Sequence, residues 1–371
     1  MNVAAEYSKA EDAIQAYIDS LESDKANAQS TIDNLMQAAQ QDGIAMSRLQ
    51  DTIDSLRVQV SANATTIAEL KAQIAASQKV QLIGFNGHTF NSPIYSDIDN
   101  SLDKLVAAGG NAYRVNFNVT DAGVAQYEDK LAELRAKCAA RGIKLQLCVN
   151  IDYGDVLRGL PGGTTIGKGL SKYAFDWLEI GNEWSIKDWK KDGTVRMIKT
   201  GDGTKVTDYD QTLMSQCGAV LKGVYDALRA GSPDTKLIIN GQWLNTAWND
   251  YVINTLGLKF DILAWHWYSE QVIARKDHPT IESILQKLFP GMPILWNEVG
   301  ARPDSKTGKF QQAQIDALVK FVGSEIKGRD IILYALFDQP ELTTNKQEAS
   351  YGFYDASGNA KPILAQVKSV L

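Results

Sequence analysis

Two glutamates close short apolar runs in this 371-residue chain: Glu183 in EIGNEW and Glu298 in PILWNEVG. A carboxylate that ends a buried strand faces whatever space the strand opens onto. Two that oppose each other across one space suit glycosidic cleavage: one protonates the departing oxygen while the other attacks or stabilises the cationic sugar carbon. A lone glutamate at such a place more often serves an ion pair. Here the pair has company at the ends of other apolar runs: His88, Arg114, Asn116, Asn150, Asp152, Asn182, Gln242, His266, Tyr268, Asp338 and Gln339. That crowd of amides, imidazoles and carboxylates reads as a site.

The elements that must position these residues begin after residue 80. Apolar runs at 82–87, 112–118, 144–150, 177–182, 236–241, 261–267, 293–299 and 331–337 read as strands. Between them, apolar spacings of three and four predict helices at 98–108, 124–141, 208–230, 247–255, 280–288, 310–327 and 361–370. The stretch 151–175 shows little helical pattern. Strands alternating with helices imply a parallel sheet, and eight such units fit a closed (β/α)8 TIM barrel of α/β class. An open doubly wound sheet is the alternative, weakened by the missing G-x-G-x-x-G after the first strand. In a barrel the functional site lies at the C-terminal strand ends, where the residues above stand.

These residues resemble clan A of the retaining glycoside hydrolases, a group that includes cellulase, mannanase and β-xylosidase families. Its pattern is Asn-Glu after strand four, a nucleophilic Glu after strand seven, an Arg on strand two and a His-x-Tyr on strand six. Asn182-Glu183, Glu298, Arg114 and His266-Trp267-Tyr268 match it in order, over roughly residues 80–371. The resemblance implies cleavage of β-glycosidic bonds in an oligo- or polysaccharide by double displacement, with Glu183 as acid/base and Glu298 as nucleophile and without metal or cofactor. Asn182 would hold the sugar 2-hydroxyl, and Arg114 and Tyr268 would hydrogen-bond Glu298. Many members carry a Trp on strand eight beneath the sugar. Here that strand reads LYALFDQP, with Phe337 as the nearest aromatic.

Indoles near strand ends offer flat faces to a pyranose. If His266 and Tyr268 face inward, strand alternation turns Trp265 and Trp267 outward into packing, which leaves Trp184 and Trp243 as platforms. His88 either lines the pocket or caps the first loop. The rival of a different class is a carbohydrate-binding tail protein with a decayed hydrolase barrel; another is a rigid structural head that binds no sugar.

Composition excludes other classes. The net charge is -6 with no basic stripe, which argues against nucleic acid. No run is long and apolar enough to span a membrane. The start, MNVAAEYSKAED, has no secretion-signal pattern, which leaves localisation open. Cys138, Cys148 and Cys217 lack metal spacing, and His88, His266 and His278 are far apart in sequence, so no metal centre is expected. GGTTIGKG at 162–169 imitates a phosphate loop, but Gly169 stands where a hydroxyl would bind magnesium; it reads as a flexible loop.

Residues 1–79 have a different composition, with Gly43 as their one glycine and no Pro, Trp, Phe or Cys. Heptads place Ile18, Lys25, Ile32, Ala39, Met46, Ile53, Val60, Ile67 and Ile74 at a, and Leu21, Ala28, Leu35, Asp42, Leu49, Leu56, Asn63 and Leu70 at d. A strict seven-residue seam predicts a coiled-coil stalk of about 85 Å over 18–74, buried against helices of other copies. Asn63 at d resembles the polar layers of trimeric stalks in phage tail proteins and bacterial adhesins. A trimer is therefore favoured over a dimer, with the barrel at 80–371 carried as a virion or tail component.

Overall fold

Eight parallel strands close into a barrel in chain order, with the last pairing the first. They are β1 Ile83–Gly87, β2 Ala112–Asn118, β3 Lys144–Asn150, β4 Trp177–Ile180, β5 Lys236–Gln242, β6 Ile262–Tyr268, β7 Ile294–Gly300 and β8 Ile331–Leu333. This computed structural model describes residues 3–42, 46–77, 81–173, 175–190, 195–271 and 280–371. It falls into two units, Met1–Val80 and Gln81–Leu371.

The first unit holds α1, Val3–Asp42, and α2, Met46–Ser77. One unbroken helix over 18–74 is not what forms. The two helices pack on each other, and Glu22, Lys25, Ala26 and Gln29 border the same groove as Val60, Ala64 and Ile67. Ile18 and Ile32 on α1, and Ile53 and Ile67 on α2, are all buried within the single chain. An a/d seam specifies burial against a helix without specifying whose helix it is. Among the described residues, no helix is long and apolar enough to cross a membrane.

In the second unit the strands are separated by α3 Ile98–Ala107, α4 Glu128–Ala140, α5 Tyr153–Leu157, α6 Gly159–Leu170, α7 Gln211–Gly231, α8 Thr246–Asp250, α9 Ile281–Leu288 and α10 Gln312–Lys320; α11 Pro362–Lys368 follows β8. Apolar strand residues that face the helices make one large core, while Ile238, Ala264, Leu295 and Ile332 fill a small cluster of their own. Cys138, Cys148 and Cys217 are free and buried.

The segment expected to be a loop is α6. Its glycines cost helix propensity, about 1 kcal/mol each against Ala. Two of them, Gly163 and Gly167, are required because α6 and α7 touch backbone to backbone, and Gly169 because it meets the Asp121–Gly123 backbone. A Cβ on Gly163 would lie 2.0 Å from the Val220 carbonyl, and one on Gly223 would lie 2.5 Å from the Leu160 carbonyl. Tertiary packing overrides local preference here.

Candidate active site

Arg114 organises the floor of the barrel. It points inward from β2 and is 2% exposed. Its Nε and Nη2 donate to Glu179 at 2.6 and 3.1 Å, Nη1 donates to Glu298 and to Asn86 at 2.6 and 2.7 Å, and Nη2 reaches Asn182 Oδ1 at 2.8 Å. Tyr268 Oη donates to the other Glu298 oxygen at 3.0 Å. Both partners assigned to Glu298 by resemblance are thus in contact with it.

Glu179, absent from the residues singled out in the sequence, is the second counter-ion. Fully buried in β4, it also accepts from Gln146 Nε2 at 2.7 Å, Asn240 Nδ2 at 2.6 Å and Asn297 Nδ2 at 3.0 Å. Burial alone would raise its pKa; Arg114 and His266 more than reverse that, and hold it well below the usual carboxylate range.

Glu183 is aimed by the turn that ends β4. Gly181 takes φ +80° and Glu183 itself takes φ +50°, a left-handed conformation uncommon outside glycine. Asn240 on β5 locks this turn: its Nδ2 donates to the Gly181 carbonyl at 2.6 Å, and its Oδ1 accepts from the Glu183 N–H at 2.9 Å. His266 Nδ1 sits 2.8 Å from Glu183 Oε1 and 3.3 Å from Glu298 Oε2, so the imidazole bridges the pair. Carboxylate oxygens of Glu183 and Glu298 come within 4.8 Å of each other. Glu183 is the more open of the two, its side chain 24% exposed against 7% for Glu298.

A cavity of about 750 Å³ opens above this floor. Of the residues expected at the site, Glu183, Glu298, Asn116, Asn182, Arg114, Gln242, Tyr268, His88 and Trp243 line it. His266 lies just beneath, bonded to Glu183. Asn150, at the end of β3, is not among the lining residues, nor are Asp152, which caps α5, Asp338, which is paired with Lys361, and Gln339. Trp184 is not a platform either. Its indole folds back over Gly181, whose missing Cβ would lie 1.8 Å from Nε1, and it stacks on Trp248 at 5.8 Å. The left-handed turn at Glu183 ends the strand alternation, so parity no longer tells where the next side chain points. Phe337 is also core, with its ring against Tyr95 and its N–H bonded to Tyr95 Oη at 2.8 Å. β8 stops at Leu333, so the aromatic at its end is Tyr334, which lines the cavity with Tyr351. Trp265 and Trp267 pack outward, Trp267 stacked on Phe321 at 3.9 Å. His278 lies outside the described residues.

Both site histidines are shifted. Burial pushes the His88 pKa down to about 4, with Glu298 opposing. Burial would lower His266 as well, but Glu298, Glu179 and Glu183 outweigh it and lift the pKa to about 9. A raised folded pKa contributes stability that is complete below the unfolded value, about 6.5 for histidine, and is lost as pH rises through the folded value. The melting temperature should therefore decline between about pH 6.5 and 9. His266→Gln should flatten that part of the profile; a decline of equal depth in the variant would exclude His266 as its source.

Glu183, His266 and Glu298 also offer three metal-type donor atoms. The Arg114 guanidinium at 2.6 Å already supplies positive charge there, so the arrangement suits an ion-paired acid site.

An eight-stranded barrel with opposed carboxylates at the ends of its fourth and seventh strands is the frame on which the comparisons bear. No family model matches the sequence, and no curated protein matches it. Solved structures do share the fold. A β-galactosidase from the psychrophilic Marinomonas ef1 aligns with TM-score 0.50 and 11% identity over 78% of this chain, which spans 58% of that chain's length. A GH5_18 variant from Streptomyces cattleya in complex with Manb1-4GlcNAc aligns with TM-score 0.51 and 16% identity, over 78% of this chain and 80% of that one. The family 1 β-glucosidase from Thermotoga maritima gives 0.53 and 10%, over 78% and 97%. At these identities the likeness is one of fold: a parallel barrel of the kind glycoside hydrolases use.

Proposed function

We propose that the chain is a retaining β-glycoside hydrolase acting on an oligo- or polysaccharide. The observation that carries this reading is that one oxygen of Glu183 lies within 4.8 Å of one oxygen of Glu298, with no room for an intervening attacking water between those atoms. Retaining enzymes hold their carboxyl groups about 5–5.5 Å apart, whereas inverting enzymes need about 6.5–9.5 Å to admit water between them.

In the first step a Glu298 oxygen attacks the anomeric carbon. The glycosidic C–O bond breaks as Glu183 passes its proton to the leaving oxygen. In the second step Glu183 takes a proton from water, the water oxygen bonds to the anomeric carbon, and the Glu298 ester is released. Arg114 and Tyr268 fix both Glu298 oxygens for in-line attack. Arg114 holds the Asn182 carbonyl oxygen, which leaves the amide N–H groups to face the sugar 2-hydroxyl. Tyr334 supplies the aromatic surface at the end of β8.

Proton NMR of the first-formed product should show the anomeric configuration of the substrate retained. Glu183→Ala should slow substrates with poor leaving groups by about 10²–10⁴-fold, the usual worth of general acid catalysis, and slow activated aryl glycosides far less. An inverted first product, or equal losses on both substrate types, would defeat the assignment. A carbohydrate-binding protein with a decayed site would turn over no glycan at all. Assembly through residues 18–74 and a virion setting belong to the same proposal; their support is the d residues Leu21, Leu35 and Leu56, which stay half-buried while the a-position isoleucines pack within the chain. Light scattering on the full chain is the check: a monomer at micromolar concentration removes that part.

A further inference from the structure

We propose that the cavity wall built by Trp243, Ile186 and Ile198 seats the sugar ring that departs, so that the bond cut is one between two sugars. The inference rests on the glycosidase reading above and names what stands on the leaving side of that bond.

The first observation is where the backbone leaves its ordinary range. Among the described residues, Glu183 and Trp243 are the two non-glycine residues with left-handed φ, +50° and +51°. They follow β4 and β5, strands that pair directly. Such a conformation is costly for a bulky side chain and persists only where its surroundings fix it. Around Trp243 they do. Trp265 Nε1 donates to the Trp243 carbonyl at 3.1 Å, the Asn245 N–H to the Gln242 carbonyl at 3.0 Å, and Asn249 Nδ2 to the Asn240 carbonyl at 3.0 Å. Asn240 is also the residue that locks the Glu183 turn. One strand end thus aims both the acid and the indole.

The second observation is the wall that joins them. Ile186, Ile198, Trp243 and Asn245 line the cavity together with Glu183. The Ile186 N–H donates to the Glu183 carbonyl at 3.1 Å, the Ile198 N–H to the Ser185 carbonyl at 3.3 Å, and Asn245 Nδ2 to Ser185 Oγ at 3.4 Å. The three segments are therefore tied into one surface beside the acid. Ile186 is 44% exposed and Trp243 half-buried, so apolar area is left uncovered there.

The chemistry decides which ring this surface meets. Glu183 protonates the oxygen that departs, so the group carrying that oxygen lies on the Glu183 side, while the sugar that bonds to Glu298 lies over Arg114 and Asn182. An indole flanked by two aliphatic side chains is a broad apolar face, which the C–H face of a pyranose matches. A leaving group of one atom has nothing to lay against it.

The test compares leaving groups on one glycosyl unit. The probes are the β-fluorides, the 4-nitrophenyl β-glycosides and the β-1,3- and β-1,4-linked oligosaccharides of glucose, galactose, mannose and xylose. Trp243→Gly removes the indole and places there a residue that adopts the left-handed φ freely. On the sugar the parent cleaves, its kcat/KM should fall about tenfold on oligosaccharide, the worth of about 60 Å² of apolar contact, and less than about twofold on fluoride. The nitrophenyl glycoside should lose as the oligosaccharide does, since its ring also stacks; Glu183→Ala spares that donor, so the two roles separate. Trp243→Phe should recover most of the loss. Equal losses on fluoride and oligosaccharide, as a purely structural role gives, overturn the proposal, as does full oligosaccharide turnover by Trp243→Gly. A parent that cleaves fluoride or nitrophenyl donors and no oligosaccharide sinks this inference alone. A parent that cleaves none of the donors sinks the glycosidase reading and the subsite with it.

Discussion

Glu298→Ala should lower glycan turnover by roughly 10⁴-fold or more, because in the proposed mechanism the substitution removes the atom that forms the covalent bond. Azide should restore part of the rate by entering the space left between Arg114 and Tyr268, which held the Glu298 oxygens at 2.6 and 3.0 Å. A second readout needs no substrate. Glu298 leads the charges that raise His266 to about 9, so the His266 titration followed by NMR should move down in the variant. Turnover close to that of the parent would remove Glu298 from the mechanism. An unmoved His266 would break the electrostatic picture of the floor.

Arg114→Met should act on fold and chemistry together. It leaves two buried carboxylates, Glu179 and Glu298, without their shared cation. Breaking a buried pair from one side costs about 3–5 kcal/mol, which for a domain of this size lowers the melting temperature by about 10 °C. Turnover should fall as well, since Asn182 and Glu298 lose the group that aims them. Arg114→Lys keeps the charge and loses the planar fork, so it should recover much of the melting temperature and little of the turnover. Equal melting of Met variant and parent would contradict the role given to Arg114.

Much of this site can be read in the sequence because barrel geometry converts strand ends into neighbours. Arg114, Glu183, His266, Tyr268 and Glu298 are far apart in the chain yet meet above one floor, and closed topology alone brings them there. What escaped has definite causes. Glu179 sits inside the apolar run WLEI and looks like an isolated exception; the available signal was that an inward Arg114 has five N–H donors to satisfy, more than one carboxylate accepts. Tyr334 escaped because apolar residues continue past the end of β8, so the strand seemed to reach Phe337. Trp184 was kept as a platform by elimination, once alternation on strand six had turned Trp265 and Trp267 outward; nothing in the sequence showed the left-handed turn that folds its indole back over Gly181. The glycines of α6 looked like a loop because their partner, the α7 backbone, lies some fifty residues later. The heptads predicted helices correctly, while the end of α1 is marked in the seam only by Asp42 at d beside Gly43, a pairing that reads equally well as a polar layer of one continuous stalk.

The acceptor crowding at Glu179 bears on reactivity. Arg114 gives it two N–H groups, and Gln146, Asn240 and Asn297 give one each. A carboxylate ringed by five donors has no room for a proton, and even its amide isostere would set N–H against N–H. Its negative charge is therefore a constant of the fold. That constant draws on the same guanidinium that steadies Glu298. A nucleophile must be held without being so fully neutralised that its electron pair turns inert toward carbon. In the proposed mechanism Glu179, by claiming part of the Arg114 charge, leaves Glu298 oriented yet electron-rich, so a residue outside the cavity lining sets how hard the attacking oxygen can push.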